Sequence, residues 1–299
     1  MTPEEWTYLA VLLFSIPIGF VFKRGGPFFR YRTHLDWLQQ PDSQAIPSWR
    51  PLVARARLVP VYGLLFLGAA WLFPLEYVRS EAFAARALPF RLFYMVPVFF
   101  VFRMRFYVAW LCADAEEGAP GAAPPEYDYE TIKNIDPYGT DFCVRVRDGM
   151  RYWNMSVQWW LAQYIYKSAP FRSYVMRSGW TMLISAYWHG LHPGYYLSFL
   201  TIPLCLAAEG AMEAGLRGRR GAAPEPEPDR SWGAWLHWFL KMRAYDYMCM
   251  GFVLLELGAT LQYWRSVYFC VHLGALALLL LGRALPRPAP PAAQGPHRE

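Results

Sequence analysis

From Gly179 to Ala208 the chain carries no Asp, Glu, Lys or Arg. A run of that length can cross the hydrocarbon core of a bilayer, which needs about 20 apolar residues. No other feature limits the fold so strongly. In lipid every backbone N–H and C=O must be satisfied within the segment, which leaves helices or closed barrels. Near the middle of the run stands Ser185-Ala-Tyr-Trp-His-Gly-Leu-His-Pro-Gly-Tyr-Tyr196, flanked by Met182-Leu-Ile184 and by Leu197-Ser-Phe-Leu-Thr-Ile-Pro-Leu204. A polar group held inside such a run is costly, so His189 is a functional candidate by position alone. Imidazole is also the side chain whose ordinary pKa suits proton transfer near neutrality.

Composition supports a membrane protein. Of 299 residues 55% are hydrophobic and only 17% charged, against about 25% charged in a soluble domain. A net charge of +6 raises the question of nucleic acid, but no zinc-finger, RNP or basic-zipper pattern is present. The cations stand in short runs beside apolar segments, which suits lipid phosphates and topology signals. The five cysteines, Cys112, Cys143, Cys205, Cys249 and Cys270, form no CxxC pair and read as small buried residues in helices.

Apolar spans are expected over Trp6–Phe22, Val59–Val78 (interrupted at Pro74), Leu92–Leu111, Tyr174–Leu191, Tyr195–Met212, Tyr247–Tyr263 and Val267–Leu285. A short aromatic segment, Trp153–Tyr166, lies between them. The first span follows an acidic start, Pro3-Glu4-Glu5, and reads as a retained anchor rather than a signal peptide. Ala113–Tyr127 and Gly215–Ser231 read as loops, and His192-Pro193-Gly194 as a hinge. The pattern predicts an all-α, polytopic transmembrane bundle of about seven near-spanning helices. It forms one domain over residues 1–285, followed by a disordered Pro/Ala-rich tail, 286–299. The basic stretch Lys23–Arg57 places that loop in the cytosol and the N-terminus in the lumen. No internal repeat supports a transporter.

A second polar candidate, Asn154, lies 35 positions before His189 in Asp148-Gly-Met-Arg-Tyr-Trp-Asn-Met-Ser-Val-Gln-Trp-Trp160. That is room for one helix, a turn and part of the next. An amide near an imidazole can hold its tautomer or stabilise an oxyanion. Other readings stay open. A lone intramembrane His is often a packing residue, and Asn154-Met-Ser156 also fits a glycosylation sequon. His189 and His192 have an i, i+3 spacing, but no carboxylate or Cys accompanies them as a metal site requires. Arg145, Arg147 and Arg151 precede Asn154, and Arg103 and Arg105 stand inside an apolar span. All five are candidates for binding phosphates, or else topology and interface anchors.

The strings Arg151–Trp160 and Ser185–Tyr196 resemble the active-site region of the membrane-bound O-acyltransferase family. Thr140-Asp-Phe-Cys-Val-Arg-Val-Arg-Asp-Gly-Met150, Gly26-Pro-Phe-Phe-Arg-Tyr-Arg-Thr33, Pro3-Glu-Glu-Trp-Thr-Tyr8 and Lys241-Met-Arg-Ala-Tyr-Asp-Tyr-Met248 narrow the likeness to the branch that acylates lysophosphatidylinositol. The resemblance implies His189 and Asn154 as the catalytic pair. It implies transfer of an arachidonoyl-type chain from acyl-CoA to the sn-2 hydroxyl of lysophosphatidylinositol, in the endoplasmic reticulum membrane. Acyl-CoA is then a co-substrate, membrane lipids are the partners, and no metal, bound cofactor or nucleic acid is involved. In the family several further helices separate the first span from the Gly26–Thr33 string, whereas here Lys23-Arg-Gly-Gly26 runs straight into it. The alternative is therefore a catalytically impaired short form, acting as a non-catalytic membrane protein or as partner of a full-length enzyme. An acyl-transfer assay separates the two.

Overall fold

A computed structural model describes residues 53, 57–116, 133–220 and 232–285. The anchor Trp6–Phe22, most of the basic stretch, the centres of both loops and the tail lie outside the described residues. Among those described there is no strand.

The helices in chain order are α1 Val59–Leu72, α2 Glu81–Ala84, α3 Leu88–Glu116, α4 Pro137–Phe142, α5 Val146–Tyr152, α6 Met155–Trp160, α7 Tyr174–His189, α8 Pro193–Arg220, α9 Trp232–Leu254, α10 Leu257–Ser266 and α11 Cys270–Ala284. A 3-10 turn, Leu75–Arg79, follows α1, and a π turn, Leu161–Tyr166, follows α6. α8 is the hub and packs on α7, α9 and α11; α9 leads to α3, and α1 lies outermost on α3.

Three helical stretches are long and apolar enough to cross a membrane: Val59–Arg79, Leu88–Leu111 and Pro193–Leu216. The bent pair Leu257–Ser266 and Cys270–Ala284 makes a fourth if it counts as one span. Three or four spans stand where six of the seven expected ones fall among the described residues. α7 has 16 residues, which at about 1.5 Å per residue falls short of a hydrocarbon core about 30 Å thick. The outer faces remain apolar: Leu64, Leu67, Trp71 and Leu280 are more than half exposed, as side chains facing lipid would be.

Two expected boundaries hold, for local reasons. Proline at 74 stops α1 before the 3-10 turn. The chain turns between His189 and Pro193, because Gly190 takes φ 135°, a conformation that side chains with a Cβ rarely adopt. Proline at the head of α8 needs no N–H partner there.

The expected span Tyr247–Tyr263 is corrected. α9 starts at Trp232 and stops at Leu254, and α10 begins at Leu257. Leu255 takes φ 66°, which is costly for a branched side chain. Tertiary bonds hold it there: Gly194 N–H donates to the Leu255 carbonyl at 2.7 Å, and Arg79 donates to the Leu254 carbonyl at 3.1 Å. A Cβ at Gly194 would lie 2.2 Å from the Gly251 carbonyl oxygen, so the start of α8 touches α9 backbone to backbone. The last expected span, Val267–Leu285, shortens to α11 because Tyr268 and Phe269 both have positive φ and bend the chain by 67°. Both expected loops begin late, since α3 runs to Glu116 and α8 to Arg220. Cys205 and Cys249 are buried in helices as expected, but Cys143 sits between α4 and α5, where it ends α4.

Candidate active site

His189 is the last residue of α7. Its Nδ1 lies 2.7 Å from the Ser185 carbonyl oxygen, one turn back on the same helix. A carbonyl only accepts, so Nδ1 carries the hydrogen and donates it. Neutral imidazole has one ring hydrogen, and Nε2 is therefore left with its lone pair, the form a general base requires. The ring is set among aromatics: Phe199 at 4.7 Å, Trp188 at 4.9 Å, Phe252 at 5.3 Å and Tyr195 at 5.9 Å. These come from α7, α8 and α9. The Gly194–Gly251 contact that brings α8 against α9 thus also gathers the walls around this ring.

Asn154 stands between α5 and α6 in the left-handed conformation, φ 49° and ψ 56°. Asn tolerates that region better than most residues. It caps α6 with its main chain, Gln158 N–H donating to its carbonyl at 2.9 Å, but its side chain makes no capping bond. Its Oδ1 is buried without a partner among the described residues. Buried amide oxygens are nearly always bonded, so an unspent one calls for an explanation.

The two candidates are linked through rings. Trp153 stacks on Phe102 at 5.9 Å, Phe102 meets Phe252 edge-on at 5.3 Å, and Phe252 meets His189 at 5.3 Å. The path runs from Trp153, the residue before Asn154, through α3 and α9 to His189 on α7.

The five arginines separate into different environments. Arg103 is buried, ion-paired with Asp141 and set over the Phe99 ring at 4.5 Å. Tyr107 Oη donates to the same carboxylate at 2.8 Å. Arg145 is held by Glu213 at 2.6 Å. Arg151 is largely exposed and lies 3.9 Å from Asp148. Arg147 is exposed, while its N–H joins that of Val146 on Glu209. Arg105 is exposed with its guanidinium 5.3 Å from the Phe106 ring and 5.8 Å from Phe102. Phe102 belongs to the ring path, so Arg105 touches that path directly.

Several residues escaped the sequence reading. Phe252 and Phe199 carry no signal beyond apolarity. Lys241 is buried, donating to the Thr140 carbonyl at 3.1 Å and to the Asp141 carbonyl at 3.4 Å. It ties α9 to the α4 segment that also holds Asp141. Asn134 is buried and meets the backbone around Asn154. Polar residues whose partners lie 22 or 101 positions away leave no local pattern.

The profile described as MBOAT, membrane-bound O-acyltransferase family, matches residues 6–219. Curated proteins are similar over most of the chain. The Homo sapiens membrane-bound acylglycerophosphatidylinositol O-acyltransferase MBOAT7 is 64% identical over 288 residues, covering 87% of this chain and 60% of the relative. Its Danio rerio namesake is 56% identical over 282 residues, covering 86% and 59%. The Drosophila melanogaster membrane-bound acylglycerophosphatidylinositol O-acyltransferase frj is 30% identical over 284 residues, covering 86% and 57%. The chain spans about three-fifths of the length of these relatives.

Proposed function

Because this chain belongs to the membrane-bound O-acyltransferase family, we propose that it moves an acyl group from acyl-CoA to a lysophospholipid. The proposed acceptor is the sn-2 hydroxyl of lysophosphatidylinositol and the donor an arachidonoyl-type thioester. The chain is a multi-pass membrane protein, and we assign it to the endoplasmic reticulum. Residues 1–285 act as one domain in this reading. The observation that carries it is the tautomer of His189: Nδ1–H is committed to Ser185, and Nε2 keeps its lone pair within an aromatic enclosure. Headgroup and chain preference rest on the names of the relatives.

The chemistry follows from those groups. Nε2 of His189 takes the proton of the acceptor hydroxyl as that oxygen bonds to the thioester carbonyl carbon. The carbonyl oxygen becomes an oxyanion, toward which the Asn154 amide N–H donates, or else that amide orients the ring. Collapse breaks the carbon–sulfur bond, and the imidazolium returns its proton to the leaving thiolate. The products are the diacyl lipid and free CoA. The thioester arrives already activated, so the step needs no metal and no bound cofactor. Arg105, Arg147 and Arg151 are the exposed cations suited to the phosphates of CoA or inositol lipid.

The test is transfer in membranes from cells that lack the endogenous activity. Microsomes holding the chain are given arachidonoyl-CoA with lysophosphatidylinositol or lysophosphatidylcholine. Preferential formation of arachidonoyl phosphatidylinositol supports the reading. No transfer to any acceptor overturns the activity, while equal use of choline and inositol acceptors removes only the headgroup. A tagged chain that fails to co-distribute with an endoplasmic reticulum marker removes the location.

A further inference from the structure

The amide oxygen of Asn154 is unpaired beside a cap that another asparagine supplies. A residue at the N-cap of a helix normally turns its side chain back onto the N–H groups of the first turn. Asn154 does not. Asn134, twenty positions earlier, does it instead. Its Oδ1 accepts from Ser156 N–H at 3.2 Å and from the Ser156 hydroxyl at 2.7 Å. Its main-chain carbonyl accepts from Met155 N–H at 2.7 Å. On the other side of Asn154, Asp136 N–H donates to the Tyr152 carbonyl at 3.0 Å. The extended segment 133–136 thus grips the chain just before and just after the residue with positive φ. Asn134 is only 6% exposed, so these bonds compete with little water.

We infer that Asn134 is a positioning residue for the acyl-transfer step: it caps α6 in place of Asn154, locks Asn154 in the left-handed conformation, and so frees the Asn154 amide for the reaction. The inference rests on the proposed role of Asn154. Two features point to function rather than packing alone. The clamp maintains a backbone conformation in which most residues would be strained, and the group it liberates is left buried with its oxygen unpaired. Without Asn134, the Asn154 side chain is free to fall back onto Ser156 N–H as an ordinary cap. Helix α6 then survives and the catalytic amide is lost. Displacements of this kind cost about 10-fold to 100-fold in rate.

The experiment compares Asn134→Ala, Asn134→Asp, Asn154→Ala and the double variant Asn134→Ala/Asn154→Ala in the full chain. Transfer is measured in microsomes per folded molecule, with folded protein counted as the monodisperse fraction in detergent. Asn134→Ala is expected to lower kcat at least about 10-fold with KM for both substrates within about twofold. Asn134→Asp keeps the accepting oxygen and restores most of the rate. The double variant is no slower than Asn154→Ala alone, since the two residues act through one amide. A fall in monodisperse protein with kcat per folded molecule unchanged makes Asn134 merely structural and overturns the inference. So does a rise in KM alone, or additive losses in the double variant. Full activity of Asn134→Ala beside an inactive Asn154→Ala overturns the inference and spares the parent reading. A fully active Asn154→Ala, or no transfer by the unmodified chain, overturns both.

Discussion

His189 and His272, two of the histidines on the helices of this bundle, are held in opposite ways. His189 has one nitrogen committed, Nδ1 to a carbonyl of its own helix. His272, on α11, has both committed. Thr201 Oγ1 donates its one hydrogen to the Leu197 carbonyl at 2.8 Å, so toward His272 it accepts, and Nε2–H donates at 3.1 Å. Nδ1 is then the bare nitrogen, and Tyr247 Oη donates to it at 2.8 Å. The two rings are opposite tautomers. His272 is also packed against Trp264 at 4.9 Å, which itself stacks on Tyr247 at 4.8 Å. An open groove of about 470 Å3, lined in part by Leu197, Leu200, Thr201 and Trp264, adjoins His272 rather than His189. The groove by itself points to His272. Hydrogen-bond accounting chooses the other, because a ring whose two nitrogens are both satisfied has no lone pair to offer a substrate.

The comparison breaks most easily at the rings themselves. His189→Ala is expected to reduce acyl transfer by about 10²-fold to 10⁴-fold, the range for losing a general base, with the protein level unchanged. His272→Ala is expected to leave transfer per folded molecule within about threefold, since no proton passes through it. Parallel rate and abundance measurements on the two variants decide it. Equal losses of rate would show that the spare nitrogen does not mark the base.

Asn154→Ala comes next, with an expected loss of about 10²-fold, as for removal of one oxyanion donor. The comparison with Ser156→Ala sharpens it. Ser156 also bonds within the Asn134 clamp, but it is the amide oxygen of Asn154 that is buried without a partner among the described residues. Ser156→Ala should therefore keep most of the rate. A Ser156 variant as slow as Asn154→Ala would assign the loss to the backbone, not to the amide.

His272 should instead speak through stability. Its removal strands the Tyr247 hydroxyl, on one of the most buried side chains of the core, while Thr201 keeps its bond to the Leu197 carbonyl. A stranded polar group costs about 1–3 kcal/mol, a large part of a typical margin of 5–15 kcal/mol. Thermal unfolding in detergent should shift down for His272→Ala and scarcely move for His189→Ala. The reverse order would exchange the roles assigned to the two rings.

What the chain reveals locally and what it hides divide along the same line. Pro74 and the turn before Pro193 are legible because proline acts on its own backbone, although the glycine that makes that turn is Gly190 and Gly194 lies inside α8. His189 and Asn154 stand out as candidates for local reasons too, His189 in a charge-free run and Asn154 in a distinctive aromatic string. The tautomers of His189 and His272 are not legible, since they depend on a carbonyl, a threonine and a tyrosine chosen by packing. The break at Leu255 is hidden because its cause lies in Gly194 and Arg79, far away in sequence. The early start of α9 is masked by Lys241, Arg243 and Asp246, which read as polar yet are accommodated inside. Arg243 lies 2.6 Å from Asp246, and Lys241 is bound to carbonyls of the α4 segment. Asn134 gives no sign at all, because its work is done on a helix twenty residues further on.

The smallest expected effect separates two arginines that look alike in the sequence. Arg103 and Arg105 stand two positions apart on α3, but a helix turns about 100° per residue and sends them to different faces. Arg103 is buried on Asp141, and breaking a buried pair from one side costs about 3–5 kcal/mol, so its loss should appear as instability. Arg105 is exposed over Phe106 and Phe102, and no carboxylate pairs with it among the described residues. An exposed cation contributes about 0.5–1 kcal/mol through the ring and as little through a screened anion. Arg105→Ala should therefore raise KM for acyl-CoA about threefold to fivefold, leave kcat and thermal stability in place, and do so less at high salt, where screening already weakens the contact. Arg105→Lys keeps the charge and should restore most of the affinity. An unchanged KM in low salt would remove Arg105 from the binding surface and leave Arg147 and Arg151 as the exposed cations for phosphate.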